Sequence, residues 1–249
     1  MSHSTVTAEV QSENSAAQRI CEAYARRQDR GRYSWFRTDY VFTMQQRERH
    51  VLALLRRCGL ADQLAAQKIL DVGCGNGAWL RDFIKWGARS EHLFGVDLLS
   101  QRVEEGRRLC PAAVHLQQGN AAALGFPDAS FDIVLQATVF TSILDAHLRR
   151  QVAAEMLRVL KPDGWILWYD FHFNNPRNPD VRGVKKAEIR QLFPACEIRL
   201  ERTTLAPPLA RTIAPVSWWT AQLLEKLPWL RTHYLGIIRK TRQDGKGEP

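Results

Sequence analysis

A short glycine-rich segment after residue 70 constrains the fold of this chain more than any other feature. Residues 68–72 form a short apolar stretch, and three glycines follow it at alternate positions, Gly73, Gly75 and Gly77. Glycine permits a tight turn and lets a ligand lie against bare backbone. Because a helical pattern begins directly after the turn, this segment predicts a ligand-binding strand–turn–helix unit of an α/β fold.

Two aspartates accompany the turn and narrow the kind of ligand it would bind. Gly73, Gly75 and Ala78 also fit the dinucleotide pattern GxGxxG/A. Asp71 argues against that ligand, because a pyrophosphate at a helix N-terminus favours positive potential. Asp97 ends the next apolar stretch, where an acidic side chain accepts hydrogen bonds from both ribose hydroxyls. The pair favours a ligand with a ribose and a cationic group.

Strand and helix patterns alternate through the middle of the chain. This rhythm predicts an α/β fold in which helices cover both faces of a parallel sheet. The predicted strands are residues 68–72, 92–97, 113–117, 131–137 and 165–171, then 197–203 and 234–240, with a turn at 161–164. The predicted helices between them are residues 76–86, 100–109, 145–160 and 185–193.

The flanking sequences predict further segments. Residues 1–14 and 243–249 read as tails, 15–60 as an N-terminal helical arm, and 61–242 as the main domain, with a tryptophan-rich helical insertion at 207–230. Within the arm, Thr43 and Gln46 fit a capping box that would start a helix at residue 44. Gly59 suits the C-terminal end of that helix.

Composition limits the class of protein. The five cysteines are widely spaced, without a CxxC pair or a zinc-like Cys/His spacing, which predicts reduced thiols, no metal and a cytoplasmic location. The polar N-terminus does not resemble a signal peptide. The sequence contains no run of about 18 uncharged apolar residues, so we expect no membrane span.

The formal net charge of +9 is concentrated late in the chain, where residues 176–249 carry 14 Lys/Arg against 7 Asp/Glu. An anionic acceptor, nucleic acid or an anionic membrane surface would each suit this excess. Nucleic acid is disfavoured because no RNA-binding domain is appended. The insertion, with Trp218, Trp219 and Trp229 near basic residues, fits either a peripheral membrane contact or a buried helix. The oligomeric state stays open.

Four segments together carry a family resemblance. ILDVGCGNG, GVDLL, GNAAALGFPDASFDIVL and EMLRVLKPDGWIL resemble the core of class I S-adenosylmethionine (SAM)-dependent methyltransferases, in particular the type 11 and UbiE-related group. The similarity is strong over residues 68–170. It implies SAM as cofactor, methyl transfer as activity, and a Rossmann-like, doubly wound sheet of seven strands whose last strand is antiparallel.

The same resemblance implies roles for individual residues. Asp71, Gly73 and Gly75 would contact the methionine part of SAM, and Asp97 would bind its ribose. Leu98 would pack on the face of the adenine, and Asn120 with Ala121 would lie at the adenine edge. Gln136 would lie beside the sulfonium. Many relatives have Asp where Asn120 stands. The Asn carbonyl can still accept a hydrogen bond from the adenine amino group.

Candidate catalytic residues follow the fifth strand. His172 lies where strand ends line the ligand crevice of such folds, and its pKa range suits a general base. Its neighbours Asp170 and Tyr169 are further candidates, on opposite faces of a regular strand. A structural role is an equally good interpretation for each.

Other residues fit a site less specifically. The aromatic residues of the arm would form a lid over the site or pack on the core: Tyr33, Trp35, Tyr40 and Phe42. Arg47 would reach the SAM carboxylate, although a solvated helix arginine is the more ordinary interpretation. Four basic residues after the fifth strand would bind an anionic group on the acceptor or stay solvated: Arg177, Arg182, Lys185 and Lys186.

The acceptor is where the sequence is least informative. The flanks resemble bacterial members associated with polysaccharide or natural-product modification, so we expect a small-molecule acceptor and O-methylation of a sugar, glycan intermediate or secondary metabolite. The alternatives are an RNA-modifying methyltransferase, a lipid or quinone methyltransferase at the membrane surface, and a SAM-binding protein without turnover.

Overall fold

A single seven-stranded sheet organises the molecule. The computed structural model describes residues 18–26, 31, 33–175 and 178–241. The tails predicted at 1–14 and 243–249, and Arg177, lie outside these residues. The strands are β1 (Ile69–Val72), β2 (Leu93–Asp97), β3 (His115–Gln118), β4 (Phe131–Ala137), β5 (Leu160–Phe171), β6 (Cys196–Leu205) and β7 (Arg231–Lys240).

The strand order places a switch point at the centre of the sheet. The order is β3-β2-β1-β4-β5-β7-β6, with β1 to β5 parallel and β7 antiparallel to both β5 and β6. The predicted seven-stranded, doubly wound sheet with an antiparallel last strand is therefore confirmed. The winding direction reverses between β1 and β4, and ligands bind such sheets at the carboxyl ends of the strands beside this point.

Eight α-helices occur in the described part of the chain: α1 (residues 18–26), α2 (Thr38–Arg57), α3 (Ala78–Lys85), α4 (Ser100–Leu109), α5 (Ala146–Val159), α6 (Lys186–Leu192), α7 (Pro207–Ile213) and α8 (Trp218–Glu225). Among these residues, no helix is both long and apolar enough to cross a membrane. The helices α7 and α8 lie between β6 and β7.

Side-chain alternation divides the core into two layers. Leu70, Val134 and Trp168 pack with α5 and α6 on one face of the sheet, whereas Ile69, Leu135 and Leu167 pack with α2 and α3 on the other. Successive residues of a strand point to opposite faces, so the central strands are buried on both sides. We call these the α5–α6 face and the α2–α3 face.

The arm differs from the sequence expectation at its start. Helix α2 begins at Thr38, and Thr43 lies inside it, donating its hydroxyl to the Asp39 carbonyl at 2.9 Å. The expected capping box is wrong, because the buried Gln46 instead accepts the backbone N–H of Leu205 at 3.1 Å. The expected helix end is confirmed, since Gly59 has φ +69° just after the C-cap.

The fifth strand also differs from the prediction. The turn expected at 161–164 lies within β5, which begins at Leu160. The pairing of β4 with β5 shifts register between Phe131 and Ile133, and this irregularity accommodates the Pro162-Asp163-Gly164 segment inside the strand.

Gly236 provides a test of the packing of β7 between its two neighbours. A Cβ at this position would lie 2.0 Å from the carbonyl oxygen of Arg199 and 2.8 Å from the Cα of Leu200, so backbone would have to move. We expect Gly236→Ala to lower the free energy of unfolding by about 2–3 kcal/mol in urea denaturation. Gly125→Ala is the control, because a Cβ there meets no atom within 4 Å. Equal stability of the two variants would contradict this account of the sheet.

Candidate functional site

The glycine turn after β1 has the geometry that its sequence requires. Gly73, Gly75 and Gly77 have φ of +72°, +55° and +73°, a region that favours glycine. Space is restricted as well, because a Cβ on Gly73 would lie 2.5 Å from a methyl carbon of Val139. The turn therefore runs directly beneath the loop that follows β4, at the switch point of the sheet.

Asp97 joins this turn to the end of β2. One carboxylate oxygen accepts the N–H of Gly75 at 2.8 Å, and the other accepts the N–H of Leu99 at 2.9 Å. Asp97, the predicted ribose-binding residue, thus lies beside the glycine turn. Each oxygen retains a second lone pair for a ligand hydroxyl.

Asp71 differs from Asp97 in being almost completely buried. It is 1% exposed, and neither oxygen has a hydrogen-bond partner among the described residues. Burial and the nearby Asp97 charge raise its pKa well above the ordinary range, and Arg47 opposes this effect. A buried acid in this state is costly unless a cationic group satisfies it. A cationic ligand group beside Asp71 would offset this cost by stabilising the ionised carboxylate.

Arg47 is not the solvated helix arginine that we regarded as more ordinary. Its side chain is 13% exposed, and its guanidinium lies 2.7 Å from Asp82 and 4.3 Å above the Trp79 ring. Its Nε atom is buried and has no hydrogen-bond partner in the described part of the chain. The structure thus holds a cation on the α2–α3 face close enough to influence Asp71 electrostatically.

The loops after β2 and β3 meet at the predicted adenine end. The Gln118 amide donates to the Leu98 carbonyl at 3.2 Å, and both Leu98 and Ala121 are half-buried. The Asn120 carbonyl already accepts the Ala122 N–H at 3.0 Å. This bond uses one of the two lone pairs of the Asn120 carbonyl oxygen, so one lone pair is left for the adenine amino group. The contacts of these residues with adenine stay predictions.

Gln136 lies on the face opposite Asp71. It pairs in register with Val72, and its fully buried side chain accepts the Val139 N–H at 3.2 Å. Its amide nitrogen has no partner among the described residues. Gln136 therefore shapes the loop over the glycine turn, and its contact with the sulfonium stays a prediction.

Two threonines that the sequence did not single out carry unusual backbone. Thr138, directly after β4, and Thr204, in β6, have φ of +60° and +64°. β-branched residues rarely adopt this conformation, and such strain clusters at functional sites. Thr138 follows a strongly apolar strand, which is a signal sequence reasoning could have used. Nothing in the local sequence marks Thr204.

Tyr169 belongs to an aromatic cluster on the α2–α3 face. Its hydroxyl lies 2.9 Å from the Thr204 hydroxyl, and its ring stacks on His233 at 4.8 Å. Trp79 lies 5.7 Å from the Tyr169 ring. Burial raises the pKa of Tyr169 and lowers that of His233 to about 3, so both side chains are uncharged at neutral pH.

The other two catalytic candidates have separate surroundings. Asp170 accepts backbone N–H groups from Thr141 at 3.2 Å and Phe171 at 2.8 Å, and burial raises its pKa to about 7. His172 Nε2 lies 3.0 Å from the Arg231 carbonyl. A carbonyl only accepts, so Nε2 carries the hydrogen and Nδ1 carries the lone pair of the neutral ring. Burial lowers the pKa of His172 and favours that neutral form.

The structure thus does not bring the three candidates together. Tyr169 packs on the α2–α3 face, and Asp170 follows Trp168 in the alternation toward the α5–α6 face. The predicted opposite orientation of these neighbours is present. His172 lies beyond them, stacked on Tyr234 at 4.5 Å. Each candidate is held by different partners, so any catalytic role must be individual.

The aromatic arm residues divide into two groups. Phe42 is 1% exposed and packs edge-to-face on Trp218 at 5.1 Å, which makes it core rather than lid. Tyr33 and Trp35 contact Tyr40 at 6.0 and 5.3 Å and stay largely exposed.

Two of the predicted acceptor-binding cations have other contacts. Arg182 pairs with Glu188 at 2.7 Å, and Lys185 lies 5.1 Å above the Phe173 ring. Lys186 is half-buried.

Comparisons with known proteins agree with this geometry. Residues 69–164 match the family model described as a methyltransferase domain. The chain is 31% identical over 185 residues to a 2-methyl-6-phytyl-1,4-hydroquinone methyltransferase from Synechocystis sp., which covers 69% of this chain and 54% of that protein. It is 33% identical over 130 residues to a demethylmenaquinone methyltransferase from Listeria welshimeri, covering 51% of this chain and 53% of that one. The chain spans about half the length of these curated relatives.

Solved structures give the same fold. A SAM-dependent methyltransferase from Archaeoglobus fulgidus aligns with a TM-score of 0.55 at 19% identity, over 81% of this chain and 99% of that one. The family match and the sequence relatives show that residues 69–164 form a methyltransferase domain, and the chain is similar to the class I SAM-dependent methyltransferases. The cofactor of this family is SAM. The Asp71 carboxylate, which has no hydrogen-bond partner among the described residues, suits the amino group of SAM. The glycine turn suits its methionine part, and Asp97 suits its ribose.

His233 makes the pH dependence of stability testable. An unfolded histidine takes up a proton near pH 6.5, whereas folded His233, with a pKa of about 3, stays neutral. Lowering the pH from 6.5 towards 3 therefore favours the unfolded chain, by about 2 kcal/mol at pH 5. Between pH 7 and pH 5, we expect the free energy of unfolding of His233→Phe to fall by about 2 kcal/mol less than that of wild type, as measured by urea denaturation. Parallel losses in both proteins would show that His233 is not held neutral.

Proposed function

We propose that this chain transfers a methyl group from SAM to a small-molecule acceptor of the quinol class, an aromatic ring with hydroxyl groups and an apolar chain. The unpartnered, buried Asp71 carries the cofactor half of this proposal. SAM supplies a methyl group already activated by the adjoining sulfonium. Asp71 binds the amino group, Asp97 accepts from the ribose hydroxyls, and Arg47 is the nearby cation for the carboxylate.

The names of two relatives support the acceptor class, since one is a hydroquinone and the other a demethylmenaquinone methyltransferase. The uncharged cluster of Tyr169, Trp79 and His233 lies buried at the carboxyl edge of the sheet. An aromatic environment of this kind suits an aromatic ring better than a polar sugar. The sugar or glycan acceptor stays the second candidate, supported by the flanking sequences.

His172 is the base that we propose for the acceptor proton. Its Nε2–H donates to the Arg231 carbonyl, which fixes the tautomer and leaves Nδ1 to accept a proton. A phenolic hydroxyl has a pKa near 10, as in tyrosine. A neutral imidazole can remove such a proton, but an alcohol with a pKa closer to the 15.7 of water is a poor match. A deprotonated quinol ring offers both oxygen and ring carbon as the nucleophile.

Substituting Asp71 separates binding from folding. We expect Asp71→Asn to raise the stability of the cofactor-free protein by about 1–3 kcal/mol in urea denaturation, because asparagine does not ionise and folding no longer has to keep a buried carboxyl protonated at neutral pH. The same change should weaken SAM binding at least about tenfold in calorimetric titration, because the amino group loses its counter-charge.

Asp97→Asn is the matched control for this experiment. Asp97 already accepts two backbone N–H groups, so its variant should lose both stability and SAM affinity. The proposed role of Asp71 is wrong if Asp71→Asn binds SAM as tightly as wild type.

The acceptor is tested with SAM carrying a labelled methyl group. Label should enter a hydroquinone that bears an apolar chain and not a nucleotide sugar or RNA, and magnetic resonance of the product shows whether oxygen or carbon is methylated. Label entering only the sugar would overturn the quinol class while leaving SAM dependence intact.

His172→Gln tests the base. We expect turnover of the quinol to fall about 10²–10⁴-fold near neutral pH and to recover partly as the pH approaches the quinol pKa, where the acceptor ionises unaided. His147→Gln should retain wild-type turnover, since His147 is exposed at the start of α5. A uniform loss at all pH values would assign His172 a structural role.

A further inference from the structure

Exposed apolar side chains are concentrated in two short segments. Among the described residues, seven large hydrophobic side chains are more than 60% exposed: Tyr33, Trp35 and Phe36, and then Val216, Trp219, Leu223 and Trp229. The remaining exposed ones are half exposed or less and are scattered. Single apolar residues on a surface are ordinary, but a cluster marks an interaction surface.

The second group forms one face of the insertion. Trp219 and Leu223 are four residues apart, so they lie on one side of α8, and they are 82% and 64% exposed. Val216, 87% exposed, lies in the turn just before the N-cap Ser217. The opposite side, with Ala221 and Glu225, is buried. A helix whose outward side is apolar while its inward side is anchored reverses the usual surface pattern.

Two contacts fix the start of this helix. Trp218 packs on Phe42 of α2, and Ser217 caps the helix by accepting the Thr220 N–H at 3.2 Å. The α8 backbone is therefore held in place while Trp219 points outward. Trp229, 67% exposed, extends the same insertion in the 3₁₀ turn Pro228–Leu230.

Positive charge lies beside the apolar face. A cavity of about 290 Å³ is lined by Arg49, His50, Gln222, Glu225, Lys226 and Arg231. Its one carboxylate, on Glu225, contacts Arg49 at 3.5 Å and His50 at 3.2 Å. Arg231 donates to the backbone carbonyls of Glu225 and Arg202, which are uncharged acceptors. Three permanent cations therefore face one acid.

We infer that this surface docks on an anionic phospholipid bilayer. Val216, Trp219, Leu223 and Trp229 enter the interfacial region, and Arg49, Lys226 and Arg231 face the lipid phosphates. Lys226, at the C-cap of α8, follows Leu223 by three residues on the same side of the helix, and its long side chain reaches the headgroups from there. A protein partner fits less well, because interface cores are depleted in lysine.

This inference is independent of the acceptor, although a bilayer is also where a quinol with an apolar chain would reside. The test is co-sedimentation of the full chain with phosphatidylcholine vesicles, with and without phosphatidylglycerol. We expect binding to the anionic vesicles that weakens as salt is raised.

Two variants separate the apolar and the charged contributions. The double variant Trp219→Ser with Leu223→Ser should reduce vesicle binding at least about tenfold. Lys226→Glu should reduce binding to anionic vesicles and its salt dependence. Leu109→Ser, which changes an exposed leucine elsewhere, is the matched control and should bind as wild type does.

SAM titration and turnover of a short-chain, water-soluble quinol should be unchanged in all three variants, which separates failure of docking from failure of the proposed function. The inference is overturned if wild type does not sediment with anionic vesicles, or if the double variant binds as wild type does. It is also overturned if ultracentrifugation shows a wild-type dimer that the double variant abolishes, because a second copy then covers this surface.

Discussion

The Asp97 carboxylate is the contact on which the organisation of the site depends. By accepting one N–H from the turn after β1 and one from the loop after β2, it fixes two loops against each other at the switch point of the sheet. The three left-handed glycines then have only one path, because Val139 closes the space above Gly73. The packing of Val139 on Gly73 in turn positions the loop after β4, which includes the strained Thr138. A charge-assisted bond at one position thereby propagates through close packing to three strand ends.

The same carboxylate creates the electrostatic conflict that defines the site. Asp71 is buried near Asp97 without a hydrogen-bond partner among the described residues, and two neighbouring acids disfavour each other's ionised form. Replacing Asp71 would remove this repulsion, whereas replacing Asp97 would also break its two backbone hydrogen bonds. A cationic ligand would change this balance, because the carboxylates of Asp71 and Asp97 would then both attract the same positive charge. Arg47 moderates the conflict without abolishing it, since its guanidinium is already engaged by Asp82 and Trp79.

The features that could be predicted from the sequence are those set by local pattern or by continuous burial. Strand β4 matches residues 131–137 because it is apolar on both faces, and α4 matches 100–109 because its helical pattern is bounded on both sides. The predictions that failed depend on distant partners. Gln46 resembles a capping residue locally, yet its amide bonds to Leu205 across the fold, and Arg47 resembles a solvated residue until Asp82 and Trp79 are placed beside it. Spacing along the chain carries no information on such pairs. The ligand contacts of the site stay predictions for the same reason.

Helix α2 relates the two surfaces that the molecule presents. Successive side chains of this one helix contact different parts of the protein: Phe42 packs on Trp218, Gln46 and His50 bond to β6, and Arg47 reaches the cofactor side. Arg49 and His50 also contact Glu225, at the end of α8. Because these contacts lie within three turns of a single helix, the proposed membrane-facing helix and the cation beside Asp71 are held at a fixed separation. A membrane contact at α8 would then orient the carboxyl edge of the sheet as a rigid body, and an apolar acceptor would enter the site from the bilayer without a domain movement.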